Sequence, residues 1–279
     1  MLRETAGDNT RLALDRCDPA GAGHLRRLGV EIHEGQGMME QARTIKSPDE
    51  IALLRNSMRV AEQAMFCIRE QLRPGVREND LWAILHQTNA RSGGEWIETR
   101  LLASGQRTNP WFQESSDRVL EAGDLLGIDT DLIGPFGYLA DFSRTFVCPP
   151  ARPSREQRRL YQLAYEQVHH NMALLKAGLT FREFSDRCWR VPEEFVEQRY
   201  MDLVHGMGLC DEYPHIPCEP DFEDWGYDGQ FEEDMVVSVE SYVGAVGGAQ
   251  GVKLEQQVRI TNTGTELLSE FEFEEELLQ

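Results

Sequence analysis

Paired cysteines, long apolar runs and positive charge are what this 279-residue chain has little of. Its six cysteines, at positions 17, 67, 148, 188, 210 and 218, include no CxxC pair, which argues against a zinc knuckle or a disulfide framework and for reduced thiols. Lys and Arg number 28 against 48 Asp and Glu, a formal net charge of -20. A phosphate backbone would be repelled by that excess, so nucleic-acid binding is excluded and a substrate with a cationic end is favoured. No apolar stretch approaches the roughly 20 residues that span a bilayer, and the opening residues Met1 to Asn9 lack the apolar segment of a leader. A soluble cytoplasmic protein with one substantial core is expected.

What the chain does have is acid in a particular arrangement. Asp129 and Asp131 stand in the run Gly127 to Leu132, where strand alternation puts both on one side. A Gly-Pro-Phe-Gly turn (Gly134 to Gly137) reverses the chain, and the return strand Tyr138 to Thr145 brings Asp141 back beside them. A second β-rich run, Val236 to Tyr242, carries Glu240; after a glycine-rich bend (Gly244 to Gly251) the strand Val252 to Ile260 carries Glu255. With His205 between the two hairpins, five carboxylates and one imidazole form a hard, oxygen-rich donor set. That set suits a two-metal catalytic centre better than a structural zinc, which takes cysteine and histidine in a closed tetrahedron.

The chain also repeats itself. Ser47-Pro48-Asp49-Glu50 has the form of a capping box with proline in the first turn, and Ser154-Arg155-Glu156-Gln157 follows the same logic. Each opens a long amphipathic helix, ending near Leu72 and Leu175, and each helix precedes a second helical stretch, Glu78 to Ser92 and Thr180 to Gln198. The order helix, helix, hairpin thus occurs twice. Two related halves are expected to pack around a pseudo-twofold axis, with the acids of both at the centre. His169 and His170 lie on the second long helix, facing solvent or core.

These features together resemble the methionine aminopeptidase, prolidase and creatinase superfamily, over roughly residues 40 to 262. The resemblance implies an α/β pita-bread fold with a dinuclear site whose ligands run Asp, Asp, His, Glu, Glu. Asp129 or Asp131, Asp141, His205, Glu240 and Glu255 fill those places, and Arg43 to Ile51 is similar to the usual start of the domain. Two departures narrow it. Peptidases of this fold carry a further histidine soon after the metal-binding one, whereas Val204 to Glu212 ends in Asp211 and Glu212; and Asp129-Thr130-Asp131 holds an extra acid. Both, with the run Leu101 to Phe112, resemble the DddP-type dimethylsulfoniopropionate lyases, which are metal-dependent. That likeness implies Asp211 as general base and Tyr200 as a residue lining the pocket; independently, a carboxylate base needs a raised pKa, and Asp211, with Glu212 beside it and a partly apolar surround (Met207, Leu209, Tyr213), is placed for one. It implies two divalent ions, with iron favoured and manganese, cobalt or zinc also compatible, a small zwitterionic substrate, and a homodimer. Trp96, Trp111, Tyr200, Tyr213 and Trp225 are the aromatic faces available to a cation.

Residues 1 to about 40, with Arg11 to Asp15 and Leu25 to Ile32 as its strands and helix, are expected to be the remnant of an N-terminal creatinase-like domain ahead of a catalytic domain from 41 to 279. The alternative function is a metallopeptidase of Xaa-Pro aminopeptidase or prolidase type, favoured if His215 points at the metals; a non-catalytic binding module is the third reading. The acidic runs Cys218 to Trp225 and Ser269 to Leu278 read equally as solvated surface.

Overall fold

The computed structural model describes residue 4 and residues 7–279; the rest of the opening stretch, read above for the absence of a leader, lies outside the described residues. The chain divides into two compact units, one ending at Thr44 and the other running Ile45–Gln279. In the first unit, β1 (Arg11–Leu14), α1 (Pro19–Arg27), β2 (Glu31–Glu34) and α2 (Gln36–Ala42) follow in order. Strands β1 and β2 pair in parallel from Arg11↔Glu31 to Leu14↔Glu34. Helix α1 begins where the Asp18 carboxylate accepts from Gly21 N at 2.8 Å, with Pro19 at the first position.

The second unit starts from the two serines. Ser47 Oγ accepts from Glu50 N while the Glu50 carboxylate accepts from Ser47 N, and α3 (Pro48–Gln71) runs from that box. It is followed by α4 (Glu78–Arg91) and by β3 (Trp96–Ile97), β4 (Leu102–Ser104), β5 (Leu125–Ile128), β6 (Leu132–Ile133), β7 (Leu139–Ala140) and β8 (Arg144–Val147). Ser154 and Gln157 form the matching box at the head of α5 (Arg155–Leu174). Then come α6 (Phe181–Arg187), β9 (Val204–Met207), β10 (Asp211–Ile216), α7 (Glu219–Trp225), β11 (Val236–Val243), β12 (Val252–Ile260), β13 (Thr265–Leu267) and α8 (Glu275–Leu278). The repeated order expected from the sequence is present.

The second helical stretch of the second half is shorter than expected. Helix α6 stops at Arg187, and a 3-10 turn at Glu193–Gln198 follows separately. Pro192 lies between them and disfavours helical backbone at Val191.

Strands β10, β9, β11, β12 and β13 form one antiparallel sheet in that order; β4, β5 and β8 form a second, and β3, β6 and β7 a third. Helices α3 and α4 bury Met58, Ala61, Met65 and Leu85 with Leu126, Ile128 and Phe146 of the first half. Helix α5 buries Tyr161, Ala164 and Val168 with Val243, Val252 and Leu254 of the second. The halves meet where β8 meets β12: Thr145 Oγ1 donates to Lys253 O at 2.8 Å, and Glu255 N donates to Ser143 O at 3.3 Å.

The first hairpin is not the pair of unbroken strands the alternation suggested. Strand β5 ends at Ile128 and β6 resumes at Leu132; β7 ends at Ala140 and β8 resumes at Arg144. Asp129, Thr130 and Asp131 occupy one gap, and Asp141, Phe142 and Ser143 the other. Asp131 sits at φ 35°, in the left-handed region where an Asp is tolerated better than most residues. Thr130 Oγ1 replaces the lost ladder bonds, donating to Ala140 O and accepting from Phe142 N. The tail is also not merely solvated acid. Its alternating phenylalanines turn inward, Phe271 and Phe273 lying 5.9 and 4.1 Å from the buried Arg144 guanidinium, and Leu277 is buried.

Candidate metal centre

The two gaps in the first hairpin and the continuous second hairpin bring all six expected ligands together. Asp129, Asp131, Asp141, His205, Glu240 and Glu255 are all buried. Glu240 and Glu255 face each other across β11 and β12, and Ser238, two residues from Glu240, pairs with His205 on β9. Two groups of mutually close ligand atoms result, Asp141 with His205, Glu240 and Glu255, and Asp129 with Asp131 and Asp141. Asp141 belongs to both, an arrangement suited to two ions sharing one carboxylate.

His205 Nε2 lies 3.1 Å from Glu240 Oε1, 3.8 Å from Glu255 Oε1 and 4.0 Å from Asp141 Oδ2. Asp131 N donates to Asp141 Oδ1 at 3.2 Å, and Thr99 Oγ1 donates to Asp131 Oδ2. Ser143 Oγ bridges Asp129 Oδ1 and Glu255 Oε2.

Crowding of acids in a dry interior shapes their protonation. Burial and then neighbouring carboxylates raise Asp131 and Asp141 well above the usual range. Burial raises Asp129 to about 6 against the pull of Lys253, and burial with Glu255 nearby raises Glu240 to about 8. Burial disfavours the Glu255 anion too, but Lys253 and His205 outweigh it and hold Glu255 at about 2. For His205, burial opposes the charge, and Asp211 and Glu240 overcome it, so the imidazole is pushed well above its usual range. Anions held together at such cost fit a bound divalent cation, which would favour every ionised form at once. Glu255 Oε1 is fully buried yet has no hydrogen-bond partner. A metal ligand is the natural use for such an atom.

Asp211 opens β10 beside this cluster, its Oδ1 3.5 Å from His205 Nδ1 and without a hydrogen-bond partner. Burial raises its pKa, and His205 opposes the rise. Glu212 is not the cause expected from adjacency: strand alternation turns it to the other face, where it pairs with Lys46 at 2.7 Å, both side chains buried. Tyr200 lies at the site, its ring 4.9 Å from Lys253 Nζ and stacked on Phe112. Of the other aromatics named from the sequence, Trp111 also faces Lys253, at 5.9 Å. Tyr213 packs instead against Phe181 and Tyr227, and Trp96 is exposed. His215 stacks beside His205, but its Nδ1 is held at 2.6 Å by Asp202 Oδ2, and it joins neither ligand group. His169 stacks on Tyr165, and His170 bonds Arg187 O, both on helix α5.

Residues 52–262 match the metallopeptidase family M24. The chain belongs to that family. M24 proteins are metal-dependent, in keeping with the cluster described. Over its whole length the M24 chain is 42% identical to dimethylsulfoniopropionate lyase DddP of Roseovarius nubinhibens and 39% identical to its counterpart in Roseobacter denitrificans. It spans 64% and 63% of the length of those two relatives. The Xaa-Pro dipeptidase of Pyrococcus furiosus is 28% identical over 88% of the chain and 68% of that relative. Among solved structures, a Xaa-Pro dipeptidase from Bacillus anthracis superposes with a TM-score of 0.83 at 24% identity, covering 98% of this chain and 75% of that one. Prolidase from Pyrococcus furiosus gives 0.81 at 24%, covering 98% and 79%. These structures establish the shared fold.

The M24 site contains a cation that the reading of acids and histidine passed over. Lys253 Nζ is buried 3.2 Å from Asp129, 2.5 Å from Glu240 and 3.1 Å from Glu255, and it donates to Ser143 Oγ at 2.7 Å. Its signal was present in the chain. Lys253 stands two residues before Glu255 on a strand buried throughout its first seven residues, and a period of two puts both on one face. Gln257, two residues further on, joins the same face and accepts from Asp141 N through Oε1. No helix among the described residues is long and apolar enough to cross a membrane.

Proposed function

We propose that the chain is a metal-dependent lyase that cleaves dimethylsulfoniopropionate to dimethyl sulfide and acrylate by β-elimination. The observation that carries this reading is Asp211, a partly exposed carboxylate with a free oxygen at the rim of the six-ligand cluster. The names of two relatives alike over the whole chain support the choice of substrate.

The reaction removes a proton from the carbon next to a carboxylate, a weak acid because the resulting dianion is poorly stabilised. Bound divalent ions, with iron the first to test and manganese, cobalt or zinc next, would act as Lewis acids toward that charge. Asp129, Asp131, Asp141, His205, Glu240 and Glu255 would hold them. Asp211 takes the proton, aided by burial that lifts its pKa. The C–H electron pair becomes the new C=C bond, and the C–S pair leaves with sulfur. Sulfonium is already a good leaving group and needs no acid; Asp211 afterwards returns its proton to water. Tyr200 lines the pocket, and its ring, like that of Trp111, faces the Lys253 ammonium.

The test is to purify the chain, measure its metal by elemental analysis, and assay dimethyl sulfide release in parallel with cleavage of a Xaa-Pro dipeptide. Release of dimethyl sulfide without peptide cleavage is the expected result. Peptide cleavage alone would replace the lyase reading with the prolidase one, which the tether of His215 to Asp202 disfavours.

A further inference from the structure

Phe112 is out of place by ordinary rules. Its backbone sits at φ 69° although it is a bulky residue, and its ring is 56% exposed. Positive φ is a steric penalty for such a side chain, and an exposed ring recovers little of it by burial. The loop is held from outside. Tyr242 Oη donates to Thr108 O and Asn109 Oδ1 at 3.0 and 2.8 Å, and Asn109 Nδ2 donates to Ala245 O and Gly248 O on the β11–β12 bend at 2.8 and 2.9 Å. At the other end Leu101 bridges to Glu114. A backbone over-determined in this way, next to a candidate site, is a pattern that accompanies function.

What the conformation achieves is a stack. The Phe112 ring lies on Tyr200 with centroids 5.6 Å apart and planes 20° from parallel. Lys253 Nζ is 4.9 Å from the Tyr200 centroid, and Lys253 in turn touches Asp129, Glu240 and Glu255. From the carboxylates outward the order is Lys253, Tyr200, Phe112. Tyr200 therefore already serves a cation, and so does Trp111, 5.9 Å from the same Nζ. A second positive charge brought to either ring would meet the ammonium. Of Tyr200, Trp111 and Phe112, Phe112 is the ring that no cation approaches among the described residues, and the one that is exposed.

We infer that Phe112 is a specificity-determining residue whose ring face receives the onium group of the substrate, while Tyr200 backs it and separates that group from Lys253. The inference rests on the lyase reading for an onium carboxylate as ligand. It goes beyond that reading by naming the ring that distinguishes a charged onium from a neutral group of the same shape.

The probes are 3-(trimethylammonio)propanoate and its neutral isostere 4,4-dimethylpentanoate, which share a carboxylate and a bulky head and differ in charge. Their dissociation constants are measured by calorimetry on the metal-loaded chain, on Phe112→Leu and on Phe112→Tyr, with thermal melts to confirm folding. The parent chain should prefer the cation, Phe112→Leu should lower that preference about fivefold, and Phe112→Tyr should keep it. An equal preference in parent and Phe112→Leu overturns the inference, as does a parent chain that binds both probes alike. Because neither probe needs to react, a chain that releases no dimethyl sulfide would defeat the lyase reading while leaving this comparison to stand or fall by itself.

Discussion

At the scale of single residues, two side chains separate the possible chemistries. Asp211 stands beside His205 without belonging to either ligand group, so its carboxylate can act on a substrate proton without being needed to hold metal. Asp211→Asn keeps the shape and removes the base. It should retain the parent's metal content and lower turnover by about 10² to 10⁴-fold; elemental analysis and dimethyl sulfide assays check both halves, and full activity would remove Asp211 from the mechanism. His215 is the complementary case. With its Nδ1 bound to Asp202, His215→Ala should leave metal stoichiometry as it was. A loss of one ion in that variant would restore the peptidase reading, in which this histidine replaces the one absent after His205.

At the scale of elements, the two hairpins reach the site by different means. Strands β11 and β12 run unbroken, so Glu240 and Glu255 are paired by register alone. The first hairpin must break both of its strands to aim three acids, and Thr130 repairs the breaks. Removing a ligand from the rigid hairpin therefore leaves the remaining carboxylates where they are. Glu240→Ala should lower metal content and, in the metal-loaded preparation, melting temperature together, since less bound ion remains to offset the repulsion among the other acids. Unchanged stoichiometry would sink the two-ion assignment. The break itself was not legible from alternation. A period of two describes Asp129 and Asp131 equally well as a strand or as successive turns of an irregular segment, and only the positive φ of Asp131 distinguishes them.

At the scale of the whole molecule, the centre ties folding to pH. Asp129, Asp131, Asp141 and Glu240 all have pKa values raised above those of an unfolded chain, to about 6 for Asp129 and about 8 for Glu240. The folded metal-free protein thus binds protons more tightly than the unfolded one across that interval, and its stability falls as pH rises from about 4 to about 8. Glu255, held at about 2, works the other way, and its contribution disappears only in strong acid. Melting temperatures of the metal-free chain should therefore decline from pH 5 toward about pH 8, and saturating metal should flatten the decline. A metal-free profile that rises over that range would show that Lys253 already neutralises the cluster.

The chain by itself determined the capped helices, their twofold recurrence and the six candidate ligands, because capping boxes, strand periodicity and acid-bearing hairpins are local patterns written in neighbouring residues. Tertiary structure decided which other groups join them, although the spacing that puts Lys253 on the face of Glu255 was already in the sequence. Lys253 became part of the centre because its strand is buried among acids from both halves, Glu212 left it because strand alternation turns it toward Lys46, and Phe112 stacks on Tyr200 from a loop whose Asn109 is bonded to the β11–β12 bend. In each case the deciding partner lies far away in sequence, and electrostatics and packing act on distance in space.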